Sequence, residues 1–249
     1  MIKKITLIFL AVFVSFENSQ AEIWNSEEGL KRLQRSEFKS DFYQLVNFYQ
    51  PQENPLFCSI ATATMIRNAF EYGNILSQKE GEVLKPDGGT ISYPLYSQKD
   101  FFNEETEKVK KRSIVEFKES VNGAESFDPG LSLGDFAKML RVHNFGVKLI
   151  YVKKNDEATA EKFRRVLRNI LNENSAFLVV NFDGKFLEKT TRGHISPIVA
   201  FDEESDSVLV LDVALHKNRW YWVEVSKLIE AMNTKDAENY RGYLMVSRQ

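Results

Sequence analysis

The sequence of 249 residues predicts an α+β fold whose sheet is antiparallel. Helix-type spacing of apolar residues dominates the first half of the chain, whereas strand-type patterns follow one another from about residue 177 to residue 247. Short turns join these strands, which favours antiparallel pairing. No GxGxxG or GxxxxGK[ST] pattern occurs, so a doubly wound nucleotide-binding fold is disfavoured.

Two helices are predicted near the start of the chain. Ser26 is expected to cap a helix that runs to Gln34. Asn54 and Pro55 fit an N-cap followed by proline at the first helical position, and the helix that they begin is expected to reach about Tyr72. Apolar residues recur every four positions in this second helix, which predicts a buried central element; they are Phe57, Ala61, Met65 and Ala69.

The pattern is weak from residue 81 to residue 130, where residues 86–89 (PDGG) predict a turn. Ser132 and Asp135 then mark the start of a helix that Gly146 is expected to end, and a further helix follows an acidic turn. Strands are predicted at residues 147–152, 177–182, 194–201, 207–212, 220–225 and 243–247, and a short helix at residues 226–232. This order predicts a helical N-terminal lobe and an antiparallel sheet in the C-terminal lobe.

The first 21 residues resemble a cleavable secretory signal. Lys3 and Lys4 precede an apolar run at residues 5–16, and small residues follow at residues 19–21. The run is too short to cross a bilayer, which needs roughly 20 apolar residues. We therefore expect a signal peptide at residues 1–21, one catalytic domain at residues 22–249, and a secreted or periplasmic protein without membrane attachment after cleavage. An amphipathic N-terminal helix is the alternative.

Composition limits the partners and cofactors. With 33 basic and 35 acidic side chains and a net charge of -2, the chain lacks the basic surface that nucleic acid requires. Cys58 is the only cysteine, so neither an intramolecular disulfide nor a CxxC-type zinc or redox site can form. Because oxidising compartments favour paired thiols, three explanations stay open for this residue: intermolecular pairing, an inert buried thiol, and a catalytic nucleophile.

The position of Cys58 favours reactivity. It falls in the first turn of the predicted central helix, where free backbone N–H groups and the helix dipole stabilise a thiolate. Gln52 precedes it in the loop and could place a side-chain amide beside the backbone N–H of Cys58. Two such donors would form an oxyanion hole.

A thiolate nucleophile needs an imidazole partner, and three histidines are present. His143 lies at a predicted helix C-terminus and His216 in a basic loop, so both are expected to be structural or surface residues. His194 opens an apolar strand directly after a polar loop, which is a typical place for a functional residue.

Strand register supplies a third residue. A symmetric hairpin around residues 202–206 pairs Ser196 with Asp212 and His194 with Ala214, so Asp212 becomes the diagonal neighbour of His194. Such neighbours lie roughly 7–8 Å apart, which lets a carboxylate accept the imidazole N–H. A slip of one residue would break this arrangement, and Asp212 could instead cap the following turn.

These residues together resemble the catalytic blocks of the phytochelatin synthase family. The blocks are residues 52–58 (QENPLFC), 193–198 (GHISPI) and 211–214 (LDVA). Residues 241–243 (RGY) and Asn181 extend the similarity, which covers about residues 49–247. The resemblance implies a papain-like fold and a γ-glutamylcysteine dipeptidyl transferase that acts on glutathione and γ-glutamyl-cysteine peptides, with a role in heavy-metal detoxification.

The resemblance also implies roles for individual residues. Cys58 would be the nucleophile, His194 the proton donor, Asp212 the residue that orients the histidine, and Gln52 an oxyanion donor. Substrate contacts would come from three residues, Asn181, Gly193 and Arg241; a turn amide and a surface guanidinium are the alternative interpretations of the first and the last.

The sequence departs from the family pattern at a few positions. Ser59 replaces a glycine, and Leu215 and residues 218–219 (NR) replace an arginine and paired prolines. The cysteine-rich C-terminal region of eukaryotic members is absent from this sequence, which removes an obvious metal sensor. We therefore expect glycine to be lost mainly by hydrolysis, as in short bacterial-type members. We expect no metal site and no cofactor for the chemistry; any activation by cadmium or zinc would act through a metal-thiolate substrate.

Other interpretations stay open at this point. One is a papain-like cysteine peptidase of broader specificity, and another is a non-catalytic protein that binds a thiol peptide. A homodimer is one assembly that the resemblance allows.

Overall fold

The computed structural model describes residues 21–73, 95–116, 130–173, 175–189, 191–236 and 239–249. The predicted signal peptide up to residue 20 and the predicted turn at residues 86–89 lie outside these ranges. The division of the chain at residue 22 therefore stays a prediction.

The first half of the described chain is mainly helical. Its helices are α1 (Glu27–Arg35), α2 (Ser40–Val46), α3 (Cys58–Tyr72), α4 (Glu104–Val109), α5 (Arg112–Val115) and α6 (Leu133–Val142). Ser26 caps α1 by accepting a hydrogen bond from the Gly29 N–H at 2.9 Å, and Ser132 caps α6 through the Asp135 N–H at 3.1 Å. Both predicted caps are confirmed.

The second half supplies most of the sheet. The strands are β1 (Glu22–Ile23), β2 (Phe145–Tyr151), β3 (Ala176–Asp183), β4 (Gly193–Asp202), β5 (Ser207–Val210), β6 (Tyr221–Glu224), β7 (Lys235–Asp236), β8 (Asn239–Tyr240) and β9 (Gly242–Arg248), with helices α7 (Glu157–Glu173) and α8 (Val225–Met232) between them. Seven strands form one sheet in the order β1-β6-β5-β4-β3-β9-β2, and each described pair is antiparallel. The predicted α+β class is confirmed.

Helices cover both faces of this sheet. Phe177 and Val179 of β3 belong to the core that contains α3 and α6, whereas Leu178 and Val180 belong to the core that contains α7 and α8. Because alternate residues of a strand point to opposite faces, a strand buried on both faces reads as a continuous apolar run. Burial on both faces therefore explains the continuous apolar run at residues 176–180.

Helix α3 begins later than its sequence predicts. Cys58 is its first residue and Phe57 its N-cap, without a side-chain cap. Asn54 instead closes a turn, since its side chain accepts a hydrogen bond from the Leu56 N–H at 3.0 Å and its carbonyl accepts one from the Phe57 N–H at 2.9 Å. The predicted start at Pro55 is wrong because the Asx-type turn competes with helix formation. The predicted central position of the helix is confirmed: it is buried on nearly every side.

Helix α6 ends earlier than predicted. It stops at Val142, and Asn144 adopts the left-handed conformation with φ of 61°. Gly146 lies inside β2, where an added Cβ would come within 2.4 Å of the Ser247 Oγ. Gly146 therefore allows the close approach of β9 and does not end the helix.

A β-bulge sets the register between β4 and β5. Next to the turn, Asp202 pairs with Ser207, one residue away from the predicted register. The register shifts between Ala200 and Ile198, so that Ile198 faces Val210. The predicted register is therefore wrong at the turn and right beyond the bulge, because a bulge adds one residue to one strand only. Strand β5 also ends at Val210, two residues earlier than predicted.

Asp41 in α2 is a buried carboxyl group without exposed surface. Its Oδ2 has no hydrogen-bond partner among the described residues, and the Ser40 hydroxyl lies 3.5 Å from its Oδ1 while it donates to the Leu171 carbonyl at 2.6 Å. Burial raises the pKa of Asp41 to about 8, against the smaller opposing effect of Ser40. The folded protein therefore favours the neutral acid.

We expect Asp41→Asn to stabilise the fold increasingly as the pH rises from about 4 to about 8. The unfolded carboxyl group ionises near its ordinary pKa of 3.8, whereas the folded one keeps its proton until about 8, so wild-type stability declines across this window. Urea unfolding at pH 5 and pH 8 should show a gain of roughly 2–4 kcal/mol at the higher pH. The exposed Glu71→Gln serves as the control, and an equal gain at both pH values would contradict the expectation.

Candidate active site

Cys58 lies at the N-terminus of α3 and is half-buried. The first backbone N–H groups of a helix have no intrahelical acceptor, so they and the helix dipole favour negative charge at this position. The Thr62 hydroxyl, one turn along, is 3.4 Å from the Ile195 carbonyl in β4. This contact connects the start of the helix to the strand that carries His194.

His194 occupies the second position of β4 and is 3% exposed. Its ring meets the Phe182 ring of β3 edge-on, with centroids 5.6 Å apart. Its Nε2 lies 2.8 Å from the Asp212 Oδ1 and 3.0 Å from the Ser196 Oγ. Cys58 is close enough to His194 to act on its charge state, and because Nε2 is engaged with Asp212 and Ser196, Nδ1 is the ring nitrogen left for Cys58.

Asp212 follows the end of β5 and has no exposed surface. Its Oδ1 accepts a hydrogen bond from the Ala214 N–H at 2.7 Å in addition to the contact with His194, and its Oδ2 accepts one from the Asn218 amide at 3.2 Å. Its backbone carbonyl accepts a hydrogen bond from the Tyr49 hydroxyl at 2.9 Å. The carboxylate is therefore held in one orientation toward His194.

Electrostatics favour the ionised form of this pair. Burial alone would lower the pKa of His194, but the charge of Asp212 and its hydrogen bond, together with Cys58, raise it. Burial alone would raise the pKa of Asp212, but the charge and hydrogen bond of His194 and the donors on Ala214 and Asn218 lower it. An imidazolium held in this way beside Cys58 is placed to donate a proton in general acid catalysis.

Gln52 approaches the same region from the loop before α3. Its backbone N–H donates to the Val213 carbonyl at 2.9 Å, so it lies beside the segment that carries Asp212. Its side-chain Nε2 donates to the Asn54 carbonyl at 2.9 Å, in the turn that leads into Cys58, and its Oε1 is buried without a partner among the described residues. One of the two amide protons stays available for another acceptor.

A small cleft opens beside these residues. It is lined by Pro55, Leu56, Cys58, Gly130, Leu131, Asn181, Gly193, His194, Ile195 and Asp236. Two of the three predicted substrate contacts, Asn181 and Gly193, therefore lie in the wall of the cleft that contains Cys58. The wall is mostly apolar, with a polar end at Asn181 and Asp236.

Asp236 is the residue that sequence analysis missed. It is 6% exposed, accepts a hydrogen bond from the Asn181 amide at 2.8 Å, and lies 3.8 Å from the Arg241 Nη2. Its position depends on the small hairpin of β7 and β8, in which it pairs with Asn239. Strands of two residues carry no periodicity, so the sequence offers no signal for this placement beyond a carboxylate close to a candidate arginine.

Arg241, the third predicted substrate contact, stands behind the cleft rather than in its wall. Its Nη1 donates to the Thr234 hydroxyl at 3.1 Å and to the Lys235 carbonyl, and its Nε is buried without a partner among the described residues. The guanidinium therefore holds the segment that presents Asp236.

The other histidines occupy the positions that the sequence predicts. His143 is half-buried at the end of α6, where its Nε2 lies 2.8 Å from the Phe101 carbonyl and its ring stacks on the Phe101 ring. His216 is exposed. Ser59, which replaces a glycine of the family pattern, is fully buried, and its hydroxyl has no partner among the described residues.

Within the ranges described above, no three histidine, cysteine or acidic side chains are grouped so that they could bind a metal ion. None of the described helices combines the length and apolar character that a bilayer crossing requires.

Comparison with known families identifies relatives of this chain. A family model described as phytochelatin synthase matches residues 17–243. The chain is 30% identical to glutathione gamma-glutamylcysteinyltransferase 3 of Lotus japonicus over 209 residues, which are 83% of this chain and 37% of that protein. It is 27% identical to glutathione gamma-glutamylcysteinyltransferase 2 of Arabidopsis thaliana, over 95% of this chain and 44% of that protein.

A fungal relative gives a similar result. The glutathione gamma-glutamylcysteinyltransferase of Schizosaccharomyces pombe is 24% identical over 87% of this chain and 45% of that protein. The chain therefore spans less than half the length of these three curated relatives.

The geometry predicts that Asp212→Asn will slow the alkylation of Cys58 by iodoacetamide about tenfold at pH 6. Without the carboxylate charge, burial lowers the pKa of His194, so the neutral imidazole no longer supports a thiolate. The matched control is Asp206→Asn in the turn after β4, where the carboxylate pairs with Arg164. Stopped-flow rates between pH 5 and pH 9 measure the effect, and superimposable wild-type and Asp212→Asn profiles would refute the proposed ion pair.

Proposed function

The chain belongs to the phytochelatin synthase family, and from this premise we propose that it is a cysteine-dependent γ-glutamylcysteine dipeptidyl transferase that removes glycine from glutathione. The observation that carries the proposal is the contact of His194 with both Asp212 and Cys58 at the mouth of a cleft that Asn181 and Asp236 line. We assign a papain-like fold on the same ground, with the nucleophile on a central helix and its partners on an antiparallel sheet.

In the first half-reaction, the Cys58 thiolate attacks the carbonyl carbon of the Cys-Gly amide. The His194 imidazolium gives its proton to the amide nitrogen, the C–N bond breaks, and glycine leaves as a neutral amine. A γ-Glu-Cys thioester stays on Cys58 and the imidazole is neutral. Asp212 keeps its negative charge throughout and stabilises the imidazolium at the start of this step.

In the second half-reaction, neutral His194 accepts a proton from the attacking group. If water attacks the thioester, the C–S bond breaks and γ-Glu-Cys is released. If the α-amine of a second glutathione attacks instead, the same C–S bond breaks and a peptide with two γ-Glu-Cys units forms. Either route restores the thiolate and the imidazolium. The two activities therefore differ only in which acceptor the cleft admits.

Negative charge develops on the carbonyl oxygen in both steps and needs donors. The backbone N–H of Cys58 at the start of α3 is one, and the free amide proton of Gln52 is the proposed second. Gln52 is held for this task by its backbone bond to Val213 and its side-chain bond to the Asn54 carbonyl. A donor fixed in advance costs no reorganisation when the charge appears.

The polar end of the cleft suits a γ-glutamyl group, which carries an α-ammonium and an α-carboxylate. We assign the ammonium to the Asp236 carboxylate, which the Asn181 amide and Arg241 already hold in place. Arg241 stands behind the cleft, so we assign it an indirect role toward the α-carboxylate, through its positive charge and its hold on the segment that presents Asp236. The apolar side chains of Leu56 and Leu131 leave room for the cysteine side chain.

The chemistry above uses side chains of this chain alone, and cadmium or zinc would act by forming a thiolate complex with glutathione. We also retain export by a signal peptide at residues 1–21 to a secreted or periplasmic location. A homodimer is the assembly to test by size-exclusion chromatography with light scattering.

Two other functions compete with this one. A broader papain-like peptidase would cleave peptides whose N-terminal glutamate is α-linked, whereas the proposed cleft requires a free γ-glutamyl end. A binding protein would hold glutathione without releasing glycine. Glycine release from glutathione, from its N-acetylated form and from α-Glu-Cys-Gly separates the three.

We expect Cys58→Ala to abolish glycine release from glutathione without unfolding the protein. Covalent catalysis cannot survive loss of the attacking atom, and a half-buried thiol at a helix start contributes little packing. Circular dichroism checks the fold and an amine assay measures glycine. The control is the exposed His216→Ala, which should retain wild-type turnover. Residual activity above about one part in a hundred in Cys58→Ala would remove Cys58 from the nucleophile role.

Water should be the main acceptor. Leu215 is 53% exposed and His216 and Lys217 are also exposed, so the segment that departs from the family pattern presents no built acceptor contact. A mass-spectrometric time course with millimolar glutathione should give γ-Glu-Cys and glycine in nearly equal amounts, with little of the two-unit peptide even after cadmium is added. Dominant two- and three-unit peptides would instead indicate full phytochelatin synthesis.

A further inference from the structure

The second oxygen of the Asp212 carboxylate has a partner that the proposed chemistry does not use. Oδ1 contacts His194 and accepts a hydrogen bond from the Ala214 N–H, whereas Oδ2 accepts one from the Asn218 side-chain amide at 3.2 Å. A carboxylate without exposed surface needs donors at both oxygens, because water cannot reach it. Asn218 therefore completes the support of Asp212.

The backbone prepares Asn218 for this contact. The N–H groups of Lys217 and Asn218 both donate to the Ala214 carbonyl, at 2.7 and 2.9 Å, which closes a tight turn after Asp212. The three side chains before Asn218 in this turn are exposed, but Asn218 is half-buried and directed back toward the carboxylate. Its amide is therefore held in place before any substrate binds.

Two other polar groups lie near Asp212. The Tyr221 hydroxyl is fully buried and makes no hydrogen bond of ordinary geometry with the described residues, but burial raises its pKa and the carboxylate of Asp212 is close enough to raise it further. The Lys189 ammonium lies over the Tyr221 ring, 4.2 Å from its centre, and feels the charge of Asp212, but the described contacts include no hydrogen bond between Lys189 and Asp212. The amide of Asn218 is thus a neutral donor with direct contact to Oδ2.

We propose that Asn218 is a positioning residue for the Cys58–His194–Asp212 site. Its amide fixes the rotamer of the Asp212 carboxylate and favours the ionised form, so that Oδ1 stays directed at the His194 Nε2. The role of Asn218 in catalysis rests on the proposed function, but its effect on the ion pair does not.

The test compares two substitutions at one position. Asn218→Ala removes the donor, and Asn218→Asp keeps the shape but places a second carboxylate against Oδ2. We expect glycine release to fall about tenfold in kcat for Asn218→Ala, with KM unchanged because the residue is not in the wall of the cleft. Asn218→Asp should fall further, since two adjacent carboxylates favour protonation of one of them. Lys217→Ala, exposed in the same turn, is the matched control and should retain wild-type values.

A second readout does not depend on glutathione. The pH profile of Cys58 alkylation should move to higher pH in Asn218→Ala and further in Asn218→Asp, whereas a merely structural role would leave the profile in place. If Asn218→Ala does not fold, Asn218→Ser, which keeps a short donor, is expected to fold and to show a smaller shift. Wild-type alkylation profiles in both the Ala and the Asp variants would overturn the proposal, even if glutathione proves not to be the substrate.

Discussion

The buried contact between His194 and Asp212 is the interaction on which the candidate site depends. Two side chains with almost no exposed surface can hold opposite charges only if each remaining polar atom finds a partner. The chain meets this requirement with groups from several elements: the Ala214 N–H, the Asn218 amide, the Ser196 hydroxyl and Cys58. Through Cys58 the start of α3 is also brought against this buried pair.

Much of this arrangement could be predicted from the sequence, and the failures have physical causes. Local sequence patterns are sufficient for the three main residues. Cys58 is placed by the start of a helix, His194 by the start of a strand, and Asp212 by the symmetry of a hairpin. Nothing in the sequence predicts the bulge between Ile198 and Ala200. The bulge shifts the pairing of β4 with β5 by one residue, which cancels the one-residue error in the pairing predicted at the turn. At the bulge two consecutive residues, Val199 and Ala200, both face the core on the α3 side. The bulge thus reverses the alternation of side chains along β4, and without it His194 would point to the opposite face.

Contacts between distant short segments were beyond sequence analysis. Asp236 reaches the cleft only because a hairpin with strands of two residues is fastened by Arg241 and Asn181. The start of α3 was misjudged for a related reason, since the turn at Asn54 satisfies backbone groups that a longer helix would otherwise have used. In both cases side-chain hydrogen bonds to the backbone, rather than apolar periodicity, decide the local structure.

The site can form only after α3 has packed against the sheet, which affects when it appears during folding. Cys58 belongs to α3, whereas its partners belong to strands that are made much later in the chain, and Thr62 joins the two only when β4 is in place. Contacts between residues so far apart in sequence form late, because closing a long loop costs entropy before any contact compensates for it. In a newly made chain Cys58 would lie apart from His194 until the sheet has assembled, so the approach of these two side chains would mark the completion of folding.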